Sequence, residues 1–193
     1  MSLSFPNVLP ECFVDTNLMQ YFLKGTVNHQ HCCSKVVGTM RDKFKDRFAI
    51  GIVDRDKVEL GYIKECEEIV KSEHLTIFKH PKYPHYLITV APAIDKFILD
   101  NAREEGVDTN SFGIPSELKG FTDLAKRVTS NKDTRFTNLF AAIKNAPEMR
   151  MFKDVLKYLL ENNYNTDDLE LVRMVNELSL IHISEPTRLG MIS

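Results

Sequence analysis

Phe48-Ala49-Ile50-Gly51-Ile52-Val53-Asp54-Arg55-Asp56-Lys57 is an uncharged run of six residues that ends on two carboxylates one residue apart. A short, continuously apolar run bounded by polar residues reads as a strand covered on both faces, as in a parallel sheet. In open α/β sheets ligands collect beyond the carboxyl ends of the strands, which is where Asp54 and Asp56 would stand. Carboxylates so placed suit a hard divalent cation, magnesium or manganese. Asp is also common in the turn after a strand, where it bonds backbone N–H groups. The pair alone therefore leaves site and turn both open.

Toward the N-terminus, Cys12-Phe13-Val14-Asp15-Thr16-Asn17 reads as a short strand ending in Asp-Thr-Asn. Leu18, Met19, Tyr21, Phe22 and Leu23 follow as a helix that Gly25 closes. Met1 to Pro10, with two prolines and no period, reads as a loose arm. Gly25 to His31 is a polar loop. Its His29-Gln30-His31-Cys32-Cys33 cluster contains metal-ligating side chains, but structural zinc takes four ligands in two spaced pairs, and no second pair is evident. The cluster is read as a loop feeding the next helix, whose apolar stripe is Val36, Val37, Met40 and Phe44.

Toward the C-terminus, Tyr62 to Ser72 is rich in Glu and Lys and reads as a helix. Leu75-Thr76-Ile77-Phe78 and Tyr86-Leu87-Ile88-Thr89-Val90 read as strands. Pro92 suits the first turn of a helix striped by Ile94, Phe97, Ile98 and Ala102. Alternating strands and helices predict an α/β domain over residues 1–106 with about four strands, three of them parallel. Beyond it, three stripes predict helices only: Leu118/Phe121/Leu124/Ala125/Val128, Phe136/Leu139/Phe140/Ile143 and Met151/Phe152/Val155/Leu156/Leu159. Thr166 is the expected N-cap of a last helix bearing Leu169, Val172 and Val175. Residues 107–177 are thus a helical region. From Leu178, the run Leu-Ser-Leu-Ile-His-Ile-Ser-Glu-Pro-Thr-Arg resembles a translated sequencing-library adaptor, so residues 178–193 are expected to be a non-native tail.

Composition excludes several classes. The 193 residues carry a formal charge of −2, so no global basic field attracts nucleic acid. No apolar run reaches the length of a membrane span, and the N-terminus lacks a signal-peptide pattern. Cys12, Cys32, Cys33 and Cys66 have no CxxC spacing and are expected as reduced thiols in a cytoplasmic chain. No Walker-type loop or GxGxxG is present, which disfavours nucleotide hydrolysis and dinucleotide chemistry.

Asp15, Asp54 and Asp56, each expected at a strand end, form a constellation that resembles the Toprim-like fold of topoisomerases, primases and overcoming-lysogenization-defect-type nucleases. That family places a Glu after its first strand and an Asp-x-Asp after a later one. Ile52-Val53-Asp54-Arg55-Asp56 matches the second element, and Asp15 takes the Glu position, which is a departure. The resemblance covers roughly Cys12 to Gly106. It implies a Rossmann-like, mostly parallel sheet. It also implies a magnesium- or manganese-dependent phosphodiesterase or nuclease acting on nucleic acid, with Asp15, Asp54 and Asp56 as catalytic and metal-binding residues. Asp95 sits in a segment similar to a helix of some Toprim-like defence proteins, although an acid in a first helical turn is favoured by the dipole alone. Phe13-Val14-Asp15-Thr16-Asn17 is similar to the opening of PIN-domain ribonucleases, a second choice with the same chemistry.

Lys119, Lys126, Arg127, Lys132 and Arg135 form a basic cluster suited to a nucleic-acid backbone, or to a plain solvated face. Lys35 and Lys57 are read as solvated, and His80 and His85 as loop histidines. The rival functional class is a non-catalytic regulatory or partner-binding protein with a degenerate acidic site. Convergence of Asp15, Asp54 and Asp56 on one ion would decide between the two. The oligomeric state is not legible in the sequence.

Overall fold

A computed structural model describes residues 3–55 and 61–184, with only the backbone of Val128 and of residues 178–184. Asp56 and Lys57 lie outside the described residues. The chain opens with β1 (Leu3–Phe5), β2 (Val8–Pro10), α1 (Phe13–Leu23) and β3 (Gly25–Val27). Then come α2 (Cys33–Thr39), a widened helical turn over Met40–Phe44, β4 (Ala49–Asp54) and the single-turn α3 (Gly61–Lys64). Three strands follow, β5 (Glu67–Lys71), β6 (Leu75–Lys79) and β7 (His85–Val90), and then α4 (Ile94–Glu104). The rest is helical: α5 (Leu118–Ala125), α6 (Thr134–Ala142), α7 (Pro147–Asn162) and α8 (Asp168–Ser184).

The fold is α/β with a mixed sheet. Five strands lie in the order β2-β4-β7-β6-β5, with β2, β4 and β7 parallel and both β6 and β5 antiparallel to their neighbours. A separate parallel pair joins β1 to β3. Every residue of β4 is buried. Ile50 and Ile52 face the larger core with α1, α4 and the C-terminal helices, while Ala49 and Val53 face Val36, Met40 and Phe44. An uncharged run with no polar face thus lies where both faces are covered.

Two expected elements are corrected. Cys12 to Asn17 is not a strand: Cys12 caps α1, its sulfur accepting from the Asp15 N–H while the Asp15 carboxylate accepts from the Cys12 N–H. This reciprocal cap satisfies donors that a helix start leaves open, and Val14, Leu18, Met19 and Phe22 recur at helical spacing in the core. The first strand of the sheet is instead Val8–Pro10, inside the segment expected to be loose. Its proline is tolerated because β2 is an edge. The expected helix over Tyr62 to Ser72 is one turn followed by β5. Glu67, Glu68 and Lys71 are exposed there, and charge on an edge strand blocks unwanted pairing, so the composition imitates a helix.

The C-terminal helices follow their expected stripes. Pro147 stands in the first turn of α7. For α8 the first-turn acceptor is Asp167, whose carboxylate takes the Leu169 N–H at 2.9 Å, rather than Thr166. Leu169 is exposed and Leu171 and Val175 are buried, which turns the expected stripe. The helical region shares one hydrophobic core with the α/β part, since Phe152 of α7 packs edge-on against Phe22 at 5.7 Å and Phe97 at 5.9 Å.

Candidate functional site

The carboxyl ends of β2 and β4 lie side by side, and the next residue on β2 is acidic. Glu11 continues the parallel ladder by donating its N–H to the Ile52 carbonyl at 3.1 Å. Its carboxylate folds across and accepts the Asp54 N–H at 3.2 Å. Asp54, the last residue of β4, accepts the Ile94 N–H at 2.9 Å through Oδ1. That N–H opens α4, so the positive end of a helix dipole faces the Asp54 charge. Glu11 and Asp54 are 3% and 7% exposed. Two carboxylates are therefore held in a largely desolvated edge by backbone donors.

Asp15 lies behind this pair. It is 1% exposed, with Oδ2 spent on the Cys12 N–H and Oδ1 buried without a hydrogen-bond partner. Burial, and next the charge of Asp54, push its carboxyl up to about 8; Cys12 donors work against the rise and Glu11 adds to it. At neutral pH Asp15 is mostly the neutral acid.

In front of Glu11 and Asp54 opens a cleft of about 260 Å³. Cys12, Phe13, His29 and His31 line it together with Asp95, Ala125 and Lys126. The histidines arrive because the chain after β3 runs along the free edge of β2, where Asn28 N–H bonds the Val8 carbonyl at 3.0 Å and Gln30 N–H the Pro10 carbonyl at 3.0 Å. Phe13 stacks on His29, with ring centroids 4.5 Å apart and 24° between planes. Carboxylates, imidazoles and an ammonium thus meet in one recess, able to bind a cation, contact an anion and move a proton.

The expected site residues divide. Asp54 lines the cleft and Asp15 does not; Asp56 is outside the described residues. Asp95 lines it from the first turn of α4. Of the basic cluster, Lys126 is in the wall, Arg127 is exposed next to it in sequence, and Lys119 is exposed near the start of α5. Lys132 borders a separate recess with Thr129 and Asn131. Arg135 is engaged by Asp133, at 2.6 Å from Nη2 to Oδ2, and donates to the Gly113 carbonyl. Asn17 donates to the carbonyls of Ser130 and Asp133. His80 and His85 lie at the opposite end of the sheet, buried with Tyr62, whose hydroxyl bonds His85 Nδ1. No cysteine is in a disulfide.

Glu11 was not singled out from the sequence, although Val8-Leu9-Pro10-Glu11 repeats in miniature the apolar-run-then-acid pattern of Ile52-Val53-Asp54. Glu11 and Asp54 offer the hard oxygen donors that magnesium and manganese take. Among the described residues no three His, Cys, Asp or Glu side chains are grouped to hold a metal ion. No described helix is long and apolar enough to cross a membrane. No family model, curated protein or solved structure matches this chain.

Proposed function

We propose that this chain is a Toprim-like phosphodiesterase that cleaves nucleic acid with the help of magnesium or manganese. The observation that carries the reading is the pair at the ends of two adjacent parallel strands, Glu11 after β2 and Asp54 closing β4, joined through the Asp54 N–H. Glu11 follows the edge strand β2 of the five-stranded sheet, and this reading gives it the Glu position of the Toprim-like pattern in place of Asp15. The parallel β2-β4-β7 portion and its helical cover support a Rossmann-like arrangement in which α/β sites form at strand ends.

In this reading Glu11 and Asp54, with Asp56 two residues on in the sequence, hold the cation. A bound divalent cation supplies positive charge to phosphate oxygens and acidifies water. Lys126 contacts a phosphate from the cleft wall, and Lys119 and Arg127 extend the positive track along the backbone of the substrate. Asp15, buried and bonded to the Cys12 N–H, is outside the ligand set in this reading. The cytoplasm is the compartment that four cysteines outside disulfides fit.

The test is a thermal melt of the full chain against magnesium and manganese, beside cleavage of labelled single- and double-stranded DNA and RNA. Metal that binds only the folded state should raise the wild-type melting temperature by roughly 5 °C at a hundredfold excess over Kd. Asp54→Asn and Glu11→Gln should lose both the shift and the cleavage while remaining folded. Superimposable melts with and without millimolar metal, and no cleavage, would leave the protein a partner-binding module instead.

A further inference from the structure

We infer that His31 is the general base of this cleft, taking the proton of the attacking water through Nε2, and that His29 holds it in the tautomer this requires. The inference rests on the phosphodiesterase reading and adds the group that handles the proton.

Thr16, His29 and His31 form a chain of hydrogen bonds with one direction. The Thr16 hydroxyl lies 2.7 Å from the Cys12 carbonyl oxygen. A carbonyl only accepts, so the single hydroxyl proton of Thr16 points at it. His29 Nδ1 lies 2.8 Å from the same hydroxyl oxygen. With that proton spent, His29 must donate, so Nδ1 carries its hydrogen. The other nitrogen, Nε2, lies 3.1 Å from His31 Nδ1. In a neutral His29 this nitrogen is bare and accepts, which places the His31 hydrogen on Nδ1. The Nε2 lone pair of His31 is what remains, on an exposed residue that lines the cleft with Glu11, Asp54 and Lys126. Burial, and next the neighbouring His31, hold the His29 imidazole below its usual range, in keeping with a neutral relay.

The surroundings fix both rings. Phe13 stacks flat on His29 and meets His31 edge-on at 5.9 Å and 77°. The His31 backbone is in the left-handed region, at φ 65°, uncommon for a residue with a side chain. A turn chosen only for shape would be served better by glycine. Histidine at this position sends an imidazole into the cleft.

The step balances with water as the only co-reactant. The water oxygen forms the new bond to phosphorus as His31 Nε2 takes its proton. The P–O bond to the departing sugar oxygen breaks, and that oxygen leaves with the electron pair and takes a proton from solvent. The imidazolium then returns its proton to solvent. His29 never leaves its tautomer; it is a positioning residue.

Long-range ¹H–¹⁵N correlation spectra of the full chain near pH 8 report the tautomers, assigned with His31→Gly and His29→Gln. Both rings should carry hydrogen on Nδ1. An Nε2–H His29 in the wild type overturns the relay. Single-turnover cleavage reports the chemistry. His31→Gly, which suits the backbone at φ 65°, should melt within a few degrees of wild type and cleave about 100-fold more slowly. Added imidazole should restore much of the rate to His31→Gly and none to Asp54→Asn. Wild-type cleavage by His31→Gly, or no rescue, overturns the inference while Asp54→Asn still upholds the phosphodiesterase. A wild-type chain that cleaves nothing overturns both.

Discussion

Asp15 illustrates at the scale of one residue how a site can sort its charges. Three carboxyls share a buried corner, where Glu11 accepts the Asp54 N–H and Asp54 accepts the Ile94 N–H that opens α4. Asp15 has one backbone acceptor role and one orphaned oxygen, and burial pushes its carboxyl up. The stability consequence has a definite sign. Its carboxyl sits at about 8 in the fold and near 3.8 otherwise, so the folded state keeps a proton that the unfolded chain releases. The favourable contribution is complete below the ordinary value and is lost as pH rises toward about 8. Asp15→Asn keeps an acceptor for the Cys12 N–H and removes the titration. Wild type should lose stability relative to Asp15→Asn by about 1 kcal/mol per pH unit between pH 5 and 7, read by urea unfolding. A pH-independent difference would mean that Asp15 ionises normally.

At the scale of elements, β4 is held by close approach as much as by burial. A Cβ on Gly51 would stand 2.6 Å from Leu87 Cδ1, 2.7 Å from Met40 Sδ and 2.9 Å from Val36 Cγ1. Glycine there lets α2 and the widened turn of Met40–Phe44 settle onto the strand that presents Asp54. Gly51→Ala should therefore cost about 1–3 kcal/mol by overpacking. A Cβ on Gly38, within α2, would have nothing within 4 Å, and Gly38→Ala should stabilise by roughly 0.5–1 kcal/mol through helix propensity. Chemical denaturation of the two variants side by side checks the contrast. Equal effects would mean that α2 does not bear on β4 at Gly51.

At the scale of the whole molecule, the sheet and the C-terminal helices are joined by a polar link as well as by the shared core. His74, in the turn between β5 and β6, bonds Glu148 of α7 through Nδ1 and Asp100 of α4 through Nε2, the latter at 3.1 Å. Ser72 also donates to Glu148. The bond with Glu148 raises the His74 imidazole above its usual range although burial opposes it. Burial alone would raise Glu148, but His74 and Ser72 more than offset it and hold the carboxyl low. The His74 contribution is thus complete below its ordinary value near 6.5 and is lost as pH rises through its raised one. The Glu148 contribution is complete above its ordinary 4.5 and is lost as pH falls through its lowered one. His74→Gln should destabilise most between about pH 5 and 6.5 and less at pH 9, in paired thermal melts. An equal loss at both ends would show that the contact acts only as a neutral hydrogen bond.

The buried strand Ala49–Asp54, the acid at its end and the helices from Leu118 onward were legible in the amino-acid order alone. These are long or uniform enough for period and polarity to decide them. The strand Val8–Pro10 emerges only in the folded molecule. Three residues have no period, and their strand character comes from pairing with Ile50–Ile52 and from the Asn28 and Gln30 bonds along their free edge. It follows that Glu11, hidden in an apparently loose arm, became a strand-end acid, while Asp15 moved into a helical cap. The sequence also left β5 looking helical, because an edge strand carries the charges of a solvated helix face. The two histidines were visible as a cluster. Their shared direction of donation required a hydroxyl sixteen residues into the chain and a carbonyl four residues before it. Local sequence specifies what a segment prefers. The cleft, its neutral acid and its oriented imidazoles exist only where segments distant in the chain desolvate one another.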